Sequence, residues 1–184
     1  MKDMVLKVLR NPITRTKISF KIGSVYIGPS YYRRTESAIE NDDIEIKYVN
    51  KKNKNIAKYS HTHNRMVLGF KRIDGNLDRE PLILHELTHA AHDIRGIPHM
   101  RLYAEAAAYI AQQVFFYFQH QSRFDAGETV HFSDKIGRAA WGVSHHARKK
   151  GSFVSDAEAK PLFDALRADK LYKNLKKDYE YDGV

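Results

Sequence analysis

The spacing of hydrophobic and polar positions changes near residue 75. Before it, apolar residues alternate or come in short blocks. ISFKIGSVYIG (18–28) holds β-branched and aromatic residues around Gly23. IEIKYV (44–49) alternates, with Ile44, Ile46 and Tyr48 on one face and Glu45 and Lys47 on the other. RMVLGF (65–70) reads as a further strand and IAKYSHT (56–62) as a weaker one. KKNKN (51–55) reads as a polar hairpin loop, and DGN (74–76) as a turn. Residues 14–70 are therefore expected to be strand-rich, forming a small, mostly antiparallel sheet.

After residue 80 the period becomes helical. A first helix is expected to start near Pro81, a residue favoured in a first helical turn, and to stop at Gly96, with Pro98 beyond it. A second is expected at about 101–120 and a third at 133–149, capped by Ser133 or Asp134. A fourth spans 155–172, broken before Pro161, with GSF (151–153) as the joint between the last two. A sheet followed by a helical half is an α+β pattern, and the absence of repeats or an obvious linker places residues 1–184 in one domain.

Composition narrows the chemistry. There is no cysteine, which removes disulfide scaffolds, thiolate zinc sites and cysteine nucleophiles. No apolar run approaches the roughly 20 residues of a membrane span. MKDMVLKVLRNP (1–12) lacks the apolar core of a signal peptide, so the expected location is cytoplasmic, or outside after export by a signal-peptide-independent route. The net charge of +9 permits anionic partners, but the basic residues are dispersed apart from small clusters such as 51–55 and 147–151. No recognisable nucleic-acid motif accompanies them, so nucleic acid is not the expected partner.

The chemistry concentrates in HELTHAAHDIRG (85–96). On a helix, residues four apart lie about 40° apart around the axis, so His85 and His89 can reach one ion. Glu86 lies about 100° from His85, beside the metal rather than on it, where it can take a proton from a metal-activated water. Ile83, Leu84, Leu87, Ala90, Ala91 and Ile94 fill an opposite arc of about 120°, so one face is expected to pack on a core and the other to look into a cleft.

Three residues compete as third ligand. His92 shares the face of His85 and His89 but is about 10.5 Å of helical rise from His85, so it is expected to line the cleft or face solvent. His99 follows Gly96 by three residues, in part like the metzincin pattern HExxHxxGxxH, but here the helix continues about 6 Å further before the glycine. Glu105 is favoured. It is the only charge in AEAAAYIAQQVFFYF (104–118), a run apolar nearly all round. A buried carboxylate needs a partner, and one zinc ion serves. His61 and His63 form a further, adventitious candidate pair.

HExxH on one helix with a glutamate on the next resembles the gluzincin type of zincin metallopeptidase, over residues 65–118. The resemblance implies a zincin-like fold, His85, His89 and Glu105 as ligands of one zinc ion, and Glu86 as general base. It implies a rim strand that pairs with substrate backbone, in the position of RMVLGF. Many members place an aspartate four residues after the ligand glutamate, where this chain has Tyr109. Tyr103, Tyr109, His145 and His146 are the candidates for the group that holds the oxyanion. HELTHA followed by glycine and EAAAYIA also loosely resembles metallopeptidase domains of bacterial secreted effectors and toxins. The expected activity is zinc-dependent hydrolysis of a protein or peptide substrate. A non-catalytic zinc-binding module and a basic nucleic-acid-binding domain are the alternatives.

Overall fold

The computed structural model describes residues 1–50, 56–74, 76–96 and 98–172, with the backbone of 178–179. The KKNKN loop, Gly75 of the DGN turn and the C-terminal lysines beyond 172 lie outside the described residues.

The architecture is α+β, with more helix in its first half than the sequence pattern predicts. Helix α1 (Lys2–Arg10) buries Val5, Leu6, Val8 and Leu9, an i, i+3, i+4 stripe. Helix α2 (Pro12–Thr16) follows at once. Pro12 suits its first turn, and the Asn11 side chain caps it by accepting from Ile13 N–H at 2.9 Å. Strands β1 (Phe20–Ile22) and β2 (Val25–Ile27) form the hairpin around Gly23. Gly23 has φ +54°, and a Cβ there would lie 2.5 Å from the Tyr103 ring, so both conformation and space require glycine. Helix α3 (Pro29–Glu40) then interrupts the span expected to be strand-rich.

Strands β3 (Glu45–Tyr48), β4 (Ala57–Ser60) and β5 (Arg65–Leu68) make a sheet in the order β3-β5-β4. The alternation in β3 fades along its length: Ile44, just before it, is buried, Ile46 half-buried and Tyr48 exposed.

The helical half follows, with α4 (Arg79–Asp93), the short strand β6 (His99–Met100), α5 (Arg101–Gln119), α6 (Gln121–Asp125), α7 (Lys135–Ala147), β7 (Ser152–Val154) and α8 (Asp156–Ala168). Asp134 caps α7 through Gly137 N–H, and Ser155 with Glu158 forms a capping box on α8. Pro161 sits inside α8 without ending it. It removes one hydrogen bond, while Ala159, Leu162, Phe163 and Leu166 hold the helix on the core.

The expected mostly antiparallel sheet is replaced by two mixed ones. β1 pairs antiparallel with β2 and parallel with β7, so the expected joint at 151–153 becomes a strand. β5 pairs parallel with β3 and antiparallel with β4. A two-residue strand β8 (Asp178–Tyr179) pairs with β6. One contiguous core runs from α1 to α8, and α4 packs most extensively against α5. Ala104, Ala106, Ala107 and Ala108 of α5 are fully buried, and their small size lets the elements packed round α5 approach closely. Among the described residues, no helix is long and apolar enough to cross a membrane.

Candidate metal centre

Helix α4 is buried on all sides. Ile83, Leu84, Leu87, Ala90 and Ala91 are at most 1% exposed, but His85, Glu86, Thr88, His89, His92 and Asp93 are buried as well. This corrects the expected division into a core face and an open face. Polar side chains in such a helix need partners. Thr88 donates to Leu84 O at 2.8 Å and meets the Tyr32 hydroxyl at 2.9 Å.

Across from α4, the first turns of α5 deliver Glu105, which is 4% exposed. Nε2 of His85 and Nε2 of His89 are 3.3 Å apart. Glu105 Oε2 lies 3.9 Å from the first and 3.6 Å from the second. The point equidistant from these three atoms lies about 2.1 Å from each, which matches zinc–ligand distances of about 2.0–2.2 Å. Two imidazoles and one carboxylate, all buried, can therefore hold a metal ion. Arg101, one turn before Glu105, places Nε 3.8 Å from its other oxygen, so the carboxylate has a cation on each side once an ion is bound.

Electrostatics divide the two histidines. Burial pushes His85 down to about 3, helped by the neighbouring His89 and opposed by Glu105 and a contact with Gln112. Burial also lowers His89, but the Glu105 carboxylate and then Glu86 outweigh it, and His89 moves up. Both must be deprotonated to ligate, so metal uptake releases a proton from this pair wherever His89 is charged.

Glu86 is buried beside the triangle rather than in it. Its Oε2 accepts the backbone N–H of Tyr59 at 2.6 Å. Burial raises its pKa, with His89 and that N–H acting against the rise. Tyr59 is anchored at its other end, where the hydroxyl donates to Asp93 Oδ2 at 2.5 Å. Glu86, Tyr59 and the triangle line a cleft of about 340 Å³ whose walls include Ala57, Lys58, His61, Arg101 and Tyr172.

The rim strand is not the expected one. β5 (RMVL of RMVLGF) is the middle strand of its sheet, paired on both sides, so neither of its edges is open. Among the described residues β4 is an edge strand, as β3 is at the other side, and Ala57 to Tyr59 line the cleft. Because side-chain and hydrogen-bonding directions alternate along a strand, Ala57 turns its backbone the same way as Tyr59, towards the cleft.

The remaining candidates separate clearly. His99 is not in the triangle; its ring packs on His92, with centroids 5.4 Å apart, and His92 is 1% exposed rather than cleft-lining or solvent-facing. Tyr103 donates to Asp156 at 2.8 Å and packs on Phe163. His146 pairs with Glu158 at 3.0 Å, and His145 lies beside Trp141 and Arg148. None of these three lines the cleft. His61 and His63 occupy a 3-10 turn rather than a strand. His61 reaches the cleft wall, and His63 bonds to Ser60 and Thr62.

Tyr109 does reach the site. Its ring lies 4.5 Å from the His85 ring, and its hydroxyl is 2.9 Å from that of Tyr172. Burial pushes Tyr109 up to about 12, and Tyr172 rises further through burial and the charge of Glu105. The sequence reading missed Tyr172, Arg101, Tyr59 and Asp93. Arg101 had a signal, its i−4 position relative to Glu105, whereas Tyr172 had none.

The chain matches no protein-family model, no curated protein and no solved structure.

Proposed function

We propose that the chain is a zinc-dependent peptidase of the gluzincin kind, with a zincin-like site. The observation that carries this reading is the convergence of His85, His89 and Glu105 on one point, with Glu86 buried beside them at the edge of a cleft. A zinc ion held by that triad supplies Lewis acidity to a water molecule and to the scissile carbonyl oxygen.

The chain's own residues do the rest. Among the described residues β4 is an edge strand that turns the Ala57 backbone towards the cleft, so an extended peptide can add there as a strand. Glu86 accepts the proton from the attacking water and delivers it to the leaving nitrogen. The Tyr59 N–H fixes the carboxylate orientation. Tyr172 stays protonated, and its hydroxyl, paired with that of Tyr109, can donate to the developing oxyanion. Arg101 holds the second oxygen of Glu105.

The test is Glu86→Gln. The variant is expected to keep its zinc and lose peptide hydrolysis by at least about a hundredfold, since general acid–base catalysis supplies about 10²–10⁴. Full hydrolysis in the variant would end the assignment. Wild type that binds zinc yet behaves like the variant towards every peptide would favour a non-catalytic zinc module.

A further inference from the structure

A second cavity of about 620 Å³, larger than the cleft, has Tyr109 as one of its walls, and the same Tyr109 ring packs on His85. Its size is that of a ligand pocket. Leu77, Phe116, Val130 and Phe132 make its apolar walls, and Asp78 and Asp134 bring two carboxylates. No lysine or arginine lines it among the described residues, in a chain that carries +9 overall.

A buried polar group bears on what the cavity suits. Gln113 lines the cavity and is only 3% exposed, and its Oε1 is buried without a hydrogen-bond donor among the described residues. Leaving an amide oxygen in that state costs its desolvation. An apolar occupant would make this worse and would also strip water from the carboxylates. An acidic occupant would be repelled. A long side chain with an alkyl stem and a cationic, donor-rich head suits both kinds of wall: the stem can lie on the phenylalanines, and the head can meet the acceptors, which include Gln112 and Asn76 besides the carboxylates, with His131 as the other titratable group in the lining.

We propose that this cavity receives a lysine or arginine side chain of the peptide bound in the cleft, with the cationic head held by Asp78 and Asp134 and a donor supplied to Gln113. The inference rests on the peptidase reading for the word peptide, but its binding chemistry is separately testable. Trp141, the single tryptophan, lies 5.8 Å from Phe132 and 6.2 Å from Phe116, so its fluorescence reports on occupancy of this cavity.

The experiment uses zinc-loaded Glu86→Gln, titrated with N-acetyl-lysine amide and, separately, with N-acetyl-norleucine amide, which has the same stem without the charge. The lysine amide is expected to bind about tenfold more tightly, as hydrogen bonds to a charged group predict. In the Asp78→Asn, Asp134→Asn double variant the ratio should fall towards one, and asparagine preserves the helix cap at 134. Equal or tighter binding of the norleucine amide, or no response to either, overturns the proposal. Wild type is then incubated with a peptide mixture and the products are read by mass. Cleavage beside lysine or arginine supports the pocket. Cleavage without that preference overturns the pocket and leaves the peptidase reading standing. Lysine-selective binding with no cleavage does the reverse.

Discussion

Tyr59→Phe removes one oxygen atom and tests how the cleft edge is held. The Tyr59 hydroxyl donates to Asp93 Oδ2 at 2.5 Å, and both residues are buried, at 8% and 0% exposure. A hydrogen bond is worth about 1 kcal/mol to a neutral acceptor and about 1.5–3 kcal/mol to a charged one, and taking this donor from a buried oxygen also costs about 1–3 kcal/mol in desolvation. The ring stays, so no cavity forms and the packing contribution is unchanged. The expected loss of stability is about 2 kcal/mol, or a fall of about 4–8 °C in Tm for a domain of this size. Urea unfolding of wild type, Tyr59→Phe, Asp93→Asn and the double variant measures it as a cycle. The two single costs should not add, because both changes act on the same bond: Tyr59→Phe removes its donor and Asp93→Asn weakens its acceptor. A loss below about 0.5 kcal/mol, or full additivity, would refute the reasoning.

Two further outcomes follow from the site. Tyr172→Phe should keep zinc and substrate affinity while kcat falls about 10²-fold, the typical cost of one oxyanion donor, as measured by steady-state kinetics and metal analysis; a change in KM alone would remove Tyr172 from that role. The metal-free protein should lose stability as pH falls from about 6.5. Burial holds His85 down at about 3 and holds His92 well below its ordinary value, so the unfolded chain takes up protons that these residues refuse. His89 and Glu86 act in the opposite sense because their pKa values are raised, while His99, also held down by burial, adds to the loss. Tm between pH 7.5 and pH 5.5 should therefore drop, and a rise across that interval would contradict the sign.

The site was more legible in the sequence than the fold was. His85, Glu86 and His89 announce themselves by spacing. Glu105 stands out because it is a lone carboxylate in an apolar helix. Helix α3 does not stand out, because two of the residues it buries are Thr35 and Glu36. Glu36 is an interior position only because Arg10 and Arg15 each meet it at 2.7 Å, and those partners come from α1 and α2. The parallel pairing of β1 with β7 joins residues about 130 apart in sequence, beyond the reach of any local period. The same distance hides Tyr172, which arrives at the cleft from the far end of α8. The misassigned rim strand has a related cause. RMVLGF has the stronger apolar pattern because it is central and paired on both sides, whereas AKYS in β4 is weaker because it is an edge.

The most direct test of the metal centre is zinc per chain, measured by elemental analysis after dialysis against a weak chelator, for wild type, Glu105→Ala and His99→Ala. The His85–His89–Glu105 triangle predicts about one zinc in wild type and in His99→Ala, and loss of zinc in Glu105→Ala. Zinc lost only from His99→Ala, or no zinc in wild type, would contradict it.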